Sequence, residues 1–161
     1  MSGHDDPRRR LVAVTLDETS IGRGTPDQEH ERAIAIYDLV QDNFFALPDR
    51  DDGPYALKVS LHDARLALDV SAASGEALVT HGLSLTPFRP FLKDYFLICE
   101  SYYAAIRTAS PSQIEAIDRS RRVLHDEAAV VLFERLAGKI DVDKETARRL
   151  FTLITALHWK V

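Results

Sequence analysis

Arg89, Lys93, Glu100 and Arg107 stand four and seven residues apart. On a helix those spacings place all four along one side. Charges on an otherwise apolar helix are costly unless they face water, pair, or bind something. A solvent-facing strip is one account of them; the wall of an anion-binding cleft is the other. A second cluster holds Glu115, Asp118, Arg119, Arg121, Arg122, His125 and Glu127. Glu115 with Arg119, and Asp118 with Arg122, have the favourable order for ion pairs one turn apart. Arg121 falls between Ile117 and Leu124 on the apolar side, with His125 one turn on. An arginine and a histidine edging a core either anchor a neighbouring helix or hold a carboxylate or phosphate. The candidate ligand-binding set is therefore Arg89, Lys93, Glu100, Arg121, Arg122 and His125.

Other signatures fail on physical grounds. Ile21-Gly22-Arg23-Gly24-Thr25 comes after a strand and before a helix, the order of a phosphate cradle. It lacks the Gly-Lys-Ser/Thr ending, and Asp27 and Glu29 open the helix with the wrong sign for an anion. The six histidines form no ligand-spaced pair, and the single cysteine excludes a zinc box. Glu29-His30-Glu31 are sequence neighbours, which point about 100° apart on a helix and do not converge on one ion. Cys99 closes the apolar run Phe96-Leu97-Ile98-Cys99, so it reads as a small buried hydrophobe rather than a nucleophile. His81 shares an apolar face with Val79, Leu83 and Leu85 and reads as a core histidine. No catalytic residue, metal or cofactor is expected.

These residues need elements to position them. The 161 residues fit one domain, and a 45% hydrophobic content is enough for a core. Met1–Arg9 reads as a disordered tail, with one α+β domain over 10–161. Leu11–Leu16 reads as a strand, with Val12, Val14 and Leu16 on one face. Thr25-Pro26-Asp27-Gln28 is a capping box opening a helix that buries Ala33, Ile36, Tyr37 and Val40. Alternation through Tyr55–Leu61, Leu66–Val70 and Val79–Leu85 gives three more strands joined by short turns.

The remainder is helical. Thr86-Pro87 opens a helix with Phe88, Leu92, Tyr95, Cys99, Tyr102 and Ile106 on one stripe, and its wide apolar surface marks it as the central helix. Ser110-Pro111-Ser112-Gln113 is a second capping box, and Gly138 stops that helix. The last helix, capped by Asp141 or Asp143, buries Ala147, Leu150, Phe151, Ile154 and Leu157. The order β-α-β-β-β-α-α-α predicts an antiparallel sheet of about four strands with helices on one face.

A formal net charge of -5 argues against nucleic acid, despite the basic run Arg8–Arg10. No run reaches the length of a membrane span, no secretory leader is visible, and one cysteine fits a reducing compartment, so the expected location is the cytoplasm. Two functions fit these residues. One is a non-catalytic interaction or regulatory module, a homodimer or binder of another protein, with Phe96, Tyr102 and Tyr103 facing the partner. The other is a small enzyme or sensor for an anionic, phosphate- or carboxylate-bearing metabolite.

Several strings have the length to be specific: Pro26-Asp27-x-Glu-His-Glu-Arg-Ala33, Leu83-Ser-Leu-Thr-Pro-Phe-Arg89, Lys93 through Tyr103, Pro111 through Asp118, Glu134 through Ile140 and Ala147 through Ile154. On these the chain resembles the alphaproteobacterial uncharacterised protein family UPF0262, from about Arg10 onward. The resemblance implies no activity, cofactor or catalytic residue to carry over. Pro90 departs from the second basic residue expected there, which weakens any anion site built on that position.

Overall fold

β1 (Leu11–Leu16) opens the fold in a computed structural model that describes residues 6–157. Of the expected tail, residues 1–5 lie outside the described residues, and residues 6–9 form a turn in which Arg9 N donates to Asp6 O at 3.0 Å. Strict alternation fails in β1: Leu11 and Val14 are buried, while Val12 faces water. A bulge between Leu11 and Ala13 inserts one extra residue and rotates the remainder of the strand. Asn43 holds the bulge. Its side chain accepts from Leu11 N at 2.8 Å and donates to Leu11 O at 3.1 Å and Leu39 O at 2.8 Å.

Beyond β1, the short helix α1 (Glu18–Ile21) is capped by Asp17 and lies against the end of β3 (Tyr55–His62). The helix α2 (Pro26–Gln41) carries the expected capping box, with Thr25 Oγ1 accepting from Gln28 N and Gln28 Oε1 from Thr25 N. Its buried face is Arg32, Ala35 and Leu39, one residue out of phase with the sequence reading. Ile36 and Val40 are half-buried, and Ala33 and Tyr37 are exposed. An arginine occupying a core position displaced the apparent phase.

β3, β4 (Arg65–Ala72) and β5 (Ala77–Ser84) form the expected antiparallel meander. β1 corrects the all-antiparallel expectation: it pairs with β3 in parallel, so the four-stranded sheet, ordered β1-β3-β4-β5, is mixed. Parallel neighbours need a long crossover, and the segment holding α2 supplies it. A two-stranded ribbon, β2 (Phe45–Ala46) with β6 (Asp141–Val142), is an addition to the expected elements. The α+β class holds.

One face of the sheet buries Leu57, Val59, Leu66, Leu68, Val70 and Leu83. His81, opposite Leu68 on β5, is half-buried rather than enclosed. The layer covering the sheet centres on α5 (Lys144–Ala156), not on α3 (Arg89–Ala105), which a 3-10 turn at Thr86–Phe88 introduces. α5 buries eight residues, including the expected Ala147, Leu150, Phe151 and Ile154, and its cap is Asp143, whose carboxylate accepts from Thr146 N at 2.8 Å. α3 buries only Leu92. That overturns its expected central position. It packs on α4 (Pro111–Leu136), and α4 in turn packs on α5. α4 itself is buried only at Ala128, Ala129, Leu132 and Leu136. The far part of α3 and the near part of α4 therefore form a hairpin standing off the body.

Candidate functional site

The two charged stripes do not converge on one site. Arg89, Lys93 and Glu100 are exposed on α3, and Arg107 lies in the turn beyond it. Arg122 is exposed and 3.5 Å from Asp118. Arg121 also pairs with Asp118, and its guanidinium carbon lies 5.8 Å from the centre of the Tyr102 ring, a cation–π contact. Asp118 thus serves both arginines.

Arg121 edges a cleft of about 360 Å³ between α2 and α3, floored by α5. α2 contributes Glu31, Ile34 and Asp38; α3 contributes Tyr95, Phe96, Cys99 and Tyr103; α5 contributes Thr152 and Thr155. Tyr95 and Cys99 sit one turn apart and interact. Burial, reinforced by Cys99, pushes the Tyr95 hydroxyl up to about 12. Burial also raises the Cys99 thiol. Both groups are therefore protonated at neutral pH, and Cys99 is no thiolate nucleophile.

Beneath the cleft floor, His125 packs edge-on to Phe151 at 5.2 Å and tilted to Tyr95 at 6.4 Å. Its Nε2 is 2.7 Å from Thr152 Oγ1, and that hydroxyl donates to Arg148 O at 3.0 Å. A hydroxyl has one proton, so Nε2 must be the donor to Thr152. Nδ1 then carries the lone pair; it is buried without a hydrogen-bond partner among the described residues. Desolvation first, then the charges of Arg148 and Arg121, lower the pKa of His125, with Asp126 opposing. The ring is an anchor between α4 and α5 that favours the neutral form.

A lowered histidine pKa gives the pH effect its sign. The unfolded chain binds a proton to this ring more readily than the folded one, so the stability contribution is complete above the ordinary histidine range and shrinks as pH falls through it. In urea titrations between pH 7.5 and pH 5.5 the wild type should lose stability on acidification, and His125→Gln should lose less. Equal slopes would remove His125 as the cause.

Two features that the sequence analysis set aside are engaged within the chain. The Gly22–Gly24 loop gives its Gly24 amide to Glu29 Oε1 at 2.8 Å, so the protein's own carboxylate takes the donor a phosphate would need. Of the basic run, Arg8 pairs with Asp51 at 2.7 Å, Arg9 with Asp6 at 3.5 Å, and Arg10 donates to Val40 O at 3.0 Å. Among the described residues, no group of three or more His, Cys, Asp or Glu side chains stands close enough to hold a metal ion.

Sequence reasoning anticipated the exposure of Tyr103 but missed that of Leu97 and Val123. Leu97 is 52% exposed, Tyr103 69% and Val123 56%, with Ile106 beside the hairpin tip also open. Of the three aromatics expected to face a partner, Tyr103 is open to solvent, while Phe96 and Tyr102 are half-buried. The missing signal is only partly in the sequence: an apolar stripe looks the same whether its cover is intramolecular or not.

The family model described as Uncharacterised protein family (UPF0262) matches residues 8–160. The chain belongs to this family. Similar members are the UPF0262 proteins of Nitrobacter winogradskyi, 62% identical over 97% of this chain and 93% of that protein, and of Xanthobacter autotrophicus, 62% identical over 96% and 94%. The UPF0262 protein of Rhodopseudomonas palustris strain TIE-1 is 60% identical over 97% and 96%. No solved structure matches. Among the described residues of this UPF0262 chain, no helix is long and apolar enough to cross a membrane.

Proposed function

We propose that this chain is a non-catalytic, cytoplasmic interaction module whose docking limb is the α3–α4 hairpin. The observation carrying this reading is the uncovered apolar surface of α3 and α4. Leu97 and Val123 lie on one side of the hairpin, and Tyr103 lies on the side that lines the α2–α3 cleft. Large apolar side chains left open to water on both sides of one limb mark a contact site. The chemistry of the cleft supports the non-catalytic half. Tyr95 and Cys99 hold their protons, and His125 uses its one donor on Thr152.

The anionic-metabolite reading has one observation in its favour, the presence of Arg121 on the cleft rim. It ranks second for an electrostatic reason. Arg121 is already engaged by Asp118, and Glu31 and Asp38 line the opposite wall. A carboxylate or phosphate entering there meets like charge.

Site-specific photo-crosslinkers in producing cells test the docking limb. Placed at Leu97 or Tyr103, the probe should give discrete protein adducts. Placed at Thr80, on the open face of the sheet, it should give none. Adducts absent from both hairpin positions, or equal at all three, would remove the proposal.

A further inference from the structure

On the outward side of the hairpin, away from the α2–α3 cleft, α3 and α4 enclose an open groove of about 770 Å³. Leu97 and Ile98 form its α3 wall, and Ala116, Ser120, Val123 and Glu127 line it from α4. Val130 continues the same side of α4, one turn further on, and is exposed. The positions 116, 120, 123, 127 and 130 alternate by four and three, the spacing of a seam between two helices. The charges form a pattern centred on Val123. Arg119 lies four residues before it and Glu127 four after, at equal distances along the helix on either side, and both line the groove. Asp94, on the α3 wall, is the third charged side chain lining the groove.

We propose that this face seats a second copy of the chain, the two α4 helices crossing antiparallel with Val123 at the twofold axis. A twofold interface must be self-complementary: whatever residue i meets, that residue's copy meets i. Arg119 and Glu127 satisfy this condition. They are eight residues apart, about 12 Å along the helix. Antiparallel pairing at Val123 sets Arg119 against Glu127 of the second copy, and Glu127 against its Arg119. Ala116 then faces the second copy's Val130, a small residue against a larger one, and Val123 faces its own copy. Parallel pairing would oppose Arg119 to Arg119 and Glu127 to Glu127, so the charges also select the direction. The present partner of Arg119 is Glu115, 3.9 Å away with both side chains largely in water. Exposed pairs of that kind contribute little, and the arginine gives it up at small cost. This inference rests on the hairpin being the docking limb, and it names the occupant of one of its two faces.

Light scattering on the eluting full-length protein, at micromolar and higher concentrations, reads the answer directly. The wild type should run at twice the 18.1 kDa chain mass. Arg119→Glu alone opposes like charges at both ends of the seam and should halve the measured mass; Glu127→Arg alone should do the same. The double variant, Arg119→Glu with Glu127→Arg, restores opposite charges and should restore the doubled mass. Both side chains are solvent-facing, so circular dichroism should match the wild type in all four proteins. Recovery in the double variant is a result that a folding defect does not produce. A wild type at single-chain mass, or single variants that keep the doubled mass, would overturn the twofold seam. Crosslinks from Tyr103, on the opposite face, would still stand, so failure here is distinguishable from failure of the broader role.

Discussion

Replacing Phe151 by alanine should destabilise the protein by about 3–5 kcal/mol, the range for emptying a fully buried aromatic site. Phe151 is fully buried near the middle of α5, with ring centres 6.2 Å from Phe88 and 5.2 Å from His125. It joins the turn before α3, the α4 histidine and the central helix, so little nearby can collapse into the space. Urea unfolding would show a lower midpoint at an unchanged slope, because the area exposed on unfolding is nearly the same. Phe151→Leu, closer in volume, should cost much less, about 1.5 kcal/mol or under. The informative comparison is with α3. Leu97→Ala and Tyr103→Ala also remove large apolar groups, but from side chains more than half exposed, and should change stability by only about 0.5 kcal/mol either way. A Tyr103→Ala cost equal to that of Phe151→Ala would mean that α3, not α5, is the central helix.

That comparison marks the boundary of what the sequence discloses. Local chemistry was legible. Both capping boxes form as the residues propose, because a cap is settled within four residues. The meander is legible because alternation and short turns fix register locally. Long-range facts were less so. The bulge in β1 depends on an amide 32 residues away, at Asn43. The parallel pairing of β1 with β3 did leave a trace, a helix between two strands, and that crossover was the signal to use. Apolar content alone placed α3 at the centre. It measures the need for cover, not its source, and α5, with a narrower stripe and more polar residues, took the middle because its stripe faces the sheet. Of the candidate set, Arg121 and His125 edge the interior as their spacing predicts. Their partners are Asp118 and Tyr102 for the first, Thr152 and Phe151 for the second. Asp118 was within reach of the helical spacing, but the partners on α3 and α5 were not, because no periodicity within α4 reveals them.

The most consequential residue that pattern reading passed over is Arg32, and its removal should rival the loss of Phe151. It is 6% exposed, on the buried face of α2. Its Nε donates to Ala156 O at 3.0 Å, and one terminal nitrogen to Leu157 O at 3.2 Å. The other terminal nitrogen reaches Gly22 O at 2.9 Å and Glu29 Oε1 at 3.3 Å. The last carbonyls of any helix lack partners within it and carry its partial negative charge. Here a guanidinium supplied from another helix satisfies two of them at the end of α5 and ties the loop before α2 to the same point. Arg32→Ala leaves those buried carbonyls without donors, and Glu29 without its cation, at an expected cost of about 3–5 kcal/mol. Two companion variants separate the causes. Arg32→Met keeps most of the apolar stem, so if hydrogen bonding dominates it should cost nearly as much as alanine. Arg32→Lys keeps the charge but presents a point rather than a fork, and should recover only part of the loss. Hydrogen exchange should localise the damage, with amides of the last turn of α5 and of the Gly22–Gly24 loop losing protection together. A methionine variant as stable as the wild type would show that the stem, and not the fork, was holding the end of α5 in place.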